Sequence, residues 1–196
     1  MYRLEEENDK NEEEKAPQKG MIDRLLETRT LTIFGEIDMK LAQSVCQTLL
    51  LLENDSNEPI KIFINSPGGH VESGDTIYDM IRFVKSPVKV IGTGWVASAG
   101  ALIYAAADKE NRYSLPNTRF LLHQPMGGMR GQASDIAIEA EEILKMRTRL
   151  NKIFAQQTGQ PLEKVENDTD RNFWMSPQEA MKYGLVGQII ESIDQV

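Results

Sequence analysis

An α/β domain with mainly parallel strand pairing is the fold class this sequence predicts. Three observations point to it. Short β-branched runs alternate with longer amphipathic stretches from about residue 22 to the C-terminus. The strand runs end in glycine-rich or histidine-bearing turns: Asn65-Ser66-Pro67-Gly68-Gly69, Gly92-Thr93-Gly94 and His123-Gln124-Pro125. In open α/β sheets ligands collect at the carboxyl ends of strands, so these turns are where chemistry is sought. Finally, 196 residues with 40% hydrophobic and 27% charged content fit one domain able to bury a core.

The elements follow in order. Residues 1–20 are acidic and poor in large apolar groups, so they are expected to be mobile. Leu31–Ile37 reads as a strand. Asp38 caps a helix to about Glu53, with Leu41, Val45, Leu49 and Leu52 on one face. Ile60–Ile64 is a second strand, followed by a helix carrying Ile77, Ile81 and Val84. Val88–Ile91 is a third strand, and the Ala-rich Ser98–Ala107 reads as a helix. Arg119–Leu122 is a fourth strand. Ser134 to about Gln157 is one amphipathic helix of roughly 36 Å, stopped by Gly159. Ser176-Pro177-Gln178-Glu179 starts another helix with a cap, an early proline and a capping-box glutamate. Val186–Ile190 closes as a strand.

Charge and composition exclude several functions. A net charge of −8 argues against nucleic acid as a partner, because phosphate backbones need clustered Lys and Arg. Cys46, the single cysteine, allows no internal disulfide and sits in an apolar run, where it reads as a small buried hydrophobe. One Cys and two His leave little for a transition-metal site. The acidic triplets Glu5–Glu7 and Glu12–Glu14 are the opposite of a basic signal-peptide start, and no apolar run approaches the roughly 20 residues of a membrane helix. A cytoplasmic protein without membrane contact is the expectation.

Few residues carry chemistry. Ser98, among small neighbours at a predicted helix start, reads either as a nucleophile or as a capping serine. It lacks the nucleophile-elbow pattern, because Val96 stands where that pattern needs glycine. His123 and His70 are the only histidines, and nothing local chooses between them as a base. Ser66-Pro67-Gly68-Gly69 can present backbone N–H groups to a ligand or form a plain tight turn; it lacks the Gly-Lys-Ser/Thr ending of a phosphate loop. Asp168 and Asp170 read as a solvated turn rather than a metal or acid–base pair.

Taken together, Ile64-Asn65-Ser66-Pro67-Gly68-Gly69, Ala97-Ser98-Ala99-Gly100-Ala101, Leu115-Pro116-Asn117, His123-Gln124-Pro125, Gly131-Gln132-Ala133-Ser134-Asp135-Ile136, Ile143-Leu144 and Tyr183-Gly184-Leu185-Val186 resemble the signature blocks of the Clp proteolytic subunit. They occur in order and with family spacing from about residue 22 onward. The resemblance implies a single domain over 21–196: a crotonase-like α/β head of repeated strand-strand-helix units with a protruding strand-helix handle at about 125–158. It implies a serine endopeptidase in which Ser98 is the nucleophile, His123 the general base, and the Gly69 and Ala99 N–H groups the oxyanion hole, with His70 beside the cleft. No cofactor or metal is called for. Family members form heptameric rings, stack two of them into a tetradecamer, and receive unfolded protein from an ATP-dependent unfoldase. The family's docking pocket maps to Phe63, Phe83, Ile91, Tyr113, Leu115 and Ile190.

Two departures stand out. Counting in register from Asp168-Thr169-Asp170-Arg171 puts Asn172 where the family carries its triad aspartate. An amide oxygen can orient the histidine but adds no charge to stabilise an imidazolium; in an unrelated serine protease this exchange costs about 10⁴-fold. The acidic N-terminus lacks the family's apolar pore loop. The expected function is therefore a peptidase subunit with weakened intrinsic activity. The alternative is a largely non-catalytic structural or regulatory subunit in a mixed ring with a catalytic paralogue. A crotonase-type acyl-CoA enzyme is a third reading, opposed by the Clp-type handle blocks.

Overall fold

Strict alternation in Ile60–Ser66 leaves Ile60, Ile62, Ile64 and Ser66 buried and the residues between them half-buried, as a strand with one covered face requires. In the computed structural model, which describes residues 20–128 and 130–196, this strand lies second in a seven-stranded sheet. The acidic segment 1–20 lies outside the described residues apart from Gly20. Along the chain run α1 (Met21–Glu27), β1 (Thr30–Phe34), α2 (Met39–Asp55), β2 (Ile60–Ser66), α3 (Val71–Phe83), β3 (Val88–Ala97), α4 (Ala99–Tyr104), β4 (Arg112–Ser114) and β5 (Arg119–Leu122). Then come α5 (Ala133–Thr158), α6 (Leu162–Asp168), β6 (Phe173–Met175), α7 (Pro177–Tyr183) and β7 (Gln188–Ile189).

Strands β1, β2 and β3 pair in parallel through the crossover helices α2 and α3. Strand β3 then forks. Its first half pairs with β4, which leads to β7. Its second half pairs with β5 (Trp95↔Arg119, Val96↔Phe120, Ala97↔Leu121), and β5 pairs antiparallel with β6. Gly92-Thr93-Gly94 looks like a strand stop, which predicts an end of β3 at Ile91. Those residues instead form a bulge: the β2 register jumps from Ile64↔Gly92 to Ser66↔Val96, and Asn65 Oδ1 accepts from the Trp95 N–H at 3.2 Å. The strand runs on to Ala97.

The expected helix 98–107 is shorter, Ala99–Tyr104, and every residue in it is buried against the core. The closing strand is two residues, not the five of Val186–Ile190. Elsewhere the local signals hold. The Asp38 side chain accepts from the Leu41 N–H at 2.7 Å, and Ser176 with Glu179 forms the reciprocal capping box. Gly159 ends α5 in the left-handed conformation. The core gathers Ile33, Leu49, Ile60, Ile62, Ile64, Ile77, Val90, Leu102, Tyr104 and Phe120 between sheet and helices.

Helix α5 spans 26 residues and divides in two. Leu150, Asn151, Phe154 and Thr158 are buried in the head, whereas Ala133–Glu142 is exposed along its whole length, Ile136 and Ile138 included. The exposed half is the protruding part. No ladder within the described chain holds the segment 123–128 before it. Polar anchors tie α5 to the head. Arg149 makes a bidentate pair with Asp75 of α3 at 2.6 Å, Arg147 reaches Asp170, and the buried Arg112 donates to the Gln157 carbonyl at 2.9 Å. Burial lowers the Arg112 pKa. No described helix is long and apolar enough to cross a membrane.

Candidate active site

The fork in β3 decides what meets at its carboxyl end. Pairing with β5 continues one residue past the end of β3, because the Ser98 N–H donates to the Leu121 carbonyl at 3.0 Å. That sets Ser98 at the end of β3 beside Leu122-His123. The antiparallel ladder Phe120↔Met175, Leu121↔Trp174, Leu122↔Phe173 steps next to His123 and Asn172. Thus neighbouring strand ends carry Ser98, His123 and Asn172 in that order. Ser98 and His123 line one narrow cleft with Val71, Ala99, Leu102, Leu122, Pro125, Leu150 and Phe154.

Ser98 is held in a conformation that non-glycine residues rarely adopt, φ 56°, ψ −123°. Such backbone costs of order 1–3 kcal/mol and persists where the surroundings over-determine it. The surroundings are visible. A Cβ at Gly68 would lie 2.6 Å from Ser98 Cβ and 2.9 Å from the Ala97 carbonyl oxygen, so the bare glycine makes the room that the serine fills. The capping reading of Ser98 fails: its side chain makes no cap hydrogen bond, and its backbone lies outside the extended region of a normal cap. The turn is a strained strand-to-helix bend that the glycine pattern of a nucleophile elbow would not find, since the glycine providing the space comes from the turn after β2.

The backbone donors can be sorted. The Ser98 N–H is engaged by Leu121, and the Gly68 N–H donates to Ser66 Oγ at 3.0 Å. Ile37 donates to the Gly68 carbonyl and accepts from the His70 N–H, so this parallel bridge brackets Gly69 without using its N–H. A Cβ at Gly69 would lie 2.3 Å from the Ile37 carbonyl oxygen. Ala99 is the first residue of α4, where an N–H has no intrahelical acceptor. Among the described residues, neither the Gly69 nor the Ala99 N–H is given to a protein acceptor, and Ala99 lines the cleft beside Ser98.

His123 is half-buried, and burial lowers its pKa from the ordinary 6.5; a hydrogen bond with the Asn172 side chain works the other way. A ring neutral near pH 7 is what a base needs. His70 serves elsewhere. Its Nδ1 lies 2.9 Å from Ser73 Oγ and its Nε2 3.3 Å from Glu72, at the entry to α3. Asp170 does not reach His123; its carboxylate takes Arg147 at 3.1 Å. The solvated-turn reading of the acidic pair needs correction at Asp168. That residue ends α6, bonds Lys164 at 2.6 Å, and accepts from the Tyr183 hydroxyl at 2.9 Å. Cys46 is half-buried rather than buried, with its thiol pKa raised by desolvation.

Away from the cleft, Ile91, Tyr113 and Ile190 form a small apolar cluster with Phe63, Leu115 and Val196 packed on it. Five of the six docking candidates thus come together. Phe83 does not join them; it is 77% exposed at the end of α3. The sequence reading also passed over Trp95 and Trp174, which stack at 6.2 Å with the Arg119 guanidinium 4.2 Å from the Trp174 ring.

Comparison with known proteins places these features. Residues 12–193 match the sequence model of the family described as Clp protease. The ATP-dependent Clp protease proteolytic subunit 2 of Gluconobacter oxydans is 60% identical over 190 residues, covering 96% of this chain and 85% of that one. Subunit 3 of Rhizobium meliloti is 56% identical, with 96% and 99% covered. Among solved structures, ClpP1 from Listeria monocytogenes is 57% identical with a TM-score of 0.80, covering 89% and 98%. An Asn-to-Asp mutant of ClpP1 from that organism is 58% identical with a TM-score of 0.83, covering 88% and 96%.

Proposed function

The chain belongs to the Clp protease family, and on that premise we propose that it is the peptidase subunit of a self-compartmentalised serine protease. It cleaves unfolded protein delivered by an ATP-dependent unfoldase, and its catalysis as a homo-oligomer is weak. One observation carries the reading: the β3–β5–β6 register brings Ser98, His123 and Asn172 to adjacent strand ends.

The geometry supports the following chemistry. The Ser98 hydroxyl adds to the scissile carbonyl carbon while His123 takes its proton. The carbonyl π pair moves onto oxygen, and the Gly69 and Ala99 N–H groups receive the oxyanion. Collapse breaks the C–N bond, and the imidazolium gives its proton to the leaving amine. Water then repeats the sequence on the acyl-enzyme, with His123 again as base. The apolar walls beside Ser98, from Val71, Leu102, Leu150 and Phe154, suit an apolar substrate side chain. Asn172 contributes only a dipole to the imidazolium, which is the source of the weakness.

Rings of seven subunits, stacked through the exposed half of α5, supply the compartment, and the cluster around Ile91 and Tyr113 receives the unfoldase. Phe83 takes part by meeting that cluster on a neighbouring subunit. The second reading, a structural or regulatory subunit of a mixed ring, is favoured by Asn172 itself and by relatives named as second and third proteolytic subunits. Fluorophosphonate labelling and fluorogenic peptide hydrolysis test both. Ser98 should label in the assembled protein and not in Ser98→Ala. Asn172→Asp should raise kcat/KM at unchanged oligomer mass. Equal labelling of Ser98→Ala refutes the catalytic assignment; wild-type cleavage as fast as the Asp variant refutes the role of Asn172. Activity that appears only on mixing with a catalytic paralogue favours the second reading.

A further inference from the structure

The turn that carries Asn172 has almost no apolar packing of its own. Thr169 is buried, but Asp170, Arg171 and Asn172 are exposed. What holds them is a set of polar contacts from two other elements. The Gln124 N–H donates to the Thr169 carbonyl at 2.7 Å, and Gln124 Nε2 donates to the Asp170 carbonyl at 2.7 Å. Arg147 of α5 grips the Asp170 carboxylate at 3.1 Å. One turn further along α5, the buried Asn151 accepts from the Thr169 hydroxyl at 2.9 Å. Gln124 follows His123 directly, and Arg147 stands where α5 enters the head.

We infer that Arg147 and Gln124 are positioning residues: they brace the 169–171 turn between the His123 strand and helix α5, so that Asn172 stands opposite His123. The inference rests on the reading of Asn172 as the histidine's partner. A carboxylate would hold its histidine by charge from a range of positions. An amide has no such reach, because it acts through one oriented oxygen and its other end is a donor of the wrong kind. A triad with asparagine therefore depends on its brace. The brace is also where the protruding helix touches the catalytic turn, so displacement of α5 is felt at His123.

The chain has two histidines, so ring ¹³C NMR of the assembled protein reads His123 against His70 as an internal reference. The charged groups on the elements around His123 are Arg147, Asp170 and Arg171; the cleft side is Ser98 and apolar residues. Losing the Asn172 bond disfavours the protonated ring. Arg147→Met and Gln124→Met should each lower the His123 titration midpoint by about half to one unit and leave His70 unmoved. Removing a cation by charge alone would raise the midpoint, so the sign separates positioning from field. In peptide assays kcat should fall about three- to tenfold with little change in KM. The exchange Arg147→Glu with Asp170→Arg should recover most of what either single change loses. An unmoved or raised midpoint in both Met variants overturns the inference. So does a swap no better than its singles, or a loss of oligomer mass that the swap leaves unrepaired, which would make Arg147 an interface residue. Asn172→Ala separates the two ideas: if it leaves His123 unmoved, the reading of Asn172 falls; if it moves His123 and the brace variants do not, only the brace falls.

Discussion

The seat of Ser98 and the turn of Asn172 belong to one site and are built by opposite means. Ser98 sits between a buried helix and a buried strand, in strained backbone that closely packed neighbours enforce. Asn172 sits on an exposed turn held by hydrogen bonds and a half-exposed ion pair. Packing of the first kind gives way only when volume changes. Contacts of the second kind yield to small shifts, since net hydrogen bonds and surface pairs contribute only about 0.5–1.5 kcal/mol each. Ser98 is therefore fixed by the fold, while the Asn172 turn beside His123 is adjustable.

Perturbing each half in turn tests that contrast. The largest effect is expected at the seat. Gly68→Ala drives a methyl into Ser98 Cβ and the Ala97 carbonyl at a positive φ, so fluorophosphonate labelling of Ser98 should fall more than about 100-fold and thermal stability should drop. Retained labelling would mean that the seat is soft. Next comes Asn172→Ala, which removes one hydrogen bond and little packing. Peptide hydrolysis should fall roughly tenfold while the melting temperature stays within experimental error.

Third is pH. In the proposed mechanism His123 acts as base only when neutral, and burial holds its pKa below 6.5. The rate should rise with pH through a midpoint below 6.5 and be level by neutrality; a midpoint above 6.5 would contradict the burial argument. Asn172→Asp should carry that limb upward, because a carboxylate favours the charged ring. The smallest effect belongs to Arg149→Ala. It cuts the half-exposed pair to Asp75 on α3, away from both halves of the site. It should cost no more than about 1 kcal/mol, or roughly 2–4 °C in Tm, with kcat unchanged. A large kcat loss would show that α5 couples to the site through this anchor as well.

The sequence was most legible where one short pattern suffices: the Asp38 cap, the Ser176–Glu179 capping box, the β2 alternation and the long run of α5 all formed near their expected bounds. Legibility failed where the determinant lies far along the chain. Gly92 and Gly94 read as a strand end because the bulge depends on Asn65, on the neighbouring strand. Strand β6 is three residues long, too short for periodicity, and takes its identity from β5. The seat of Ser98 has no local signature, since the room for its side chain is left by Gly68, 30 residues away. Ser98, His123 and Asn172 could be nominated only by resemblance; the residues alone left capping serine and nucleophile open. Gln124 entered only as part of the His123-Gln124-Pro125 block, and Arg147, one cation among several on a long helix, gave no signal of its role.

The pairing of β5 with β6 has a consequence for biosynthesis. Between Leu122 and Phe173 lies the whole of α5 and α6, so the ladder that aligns His123 with Asn172 closes a loop of about fifty residues. At roughly 5–20 residues per second, the ribosome finishes the Ser98 seat several seconds before it reaches Asn172. During that interval Ser98 is already seated while His123 still lacks the residue that bonds its ring.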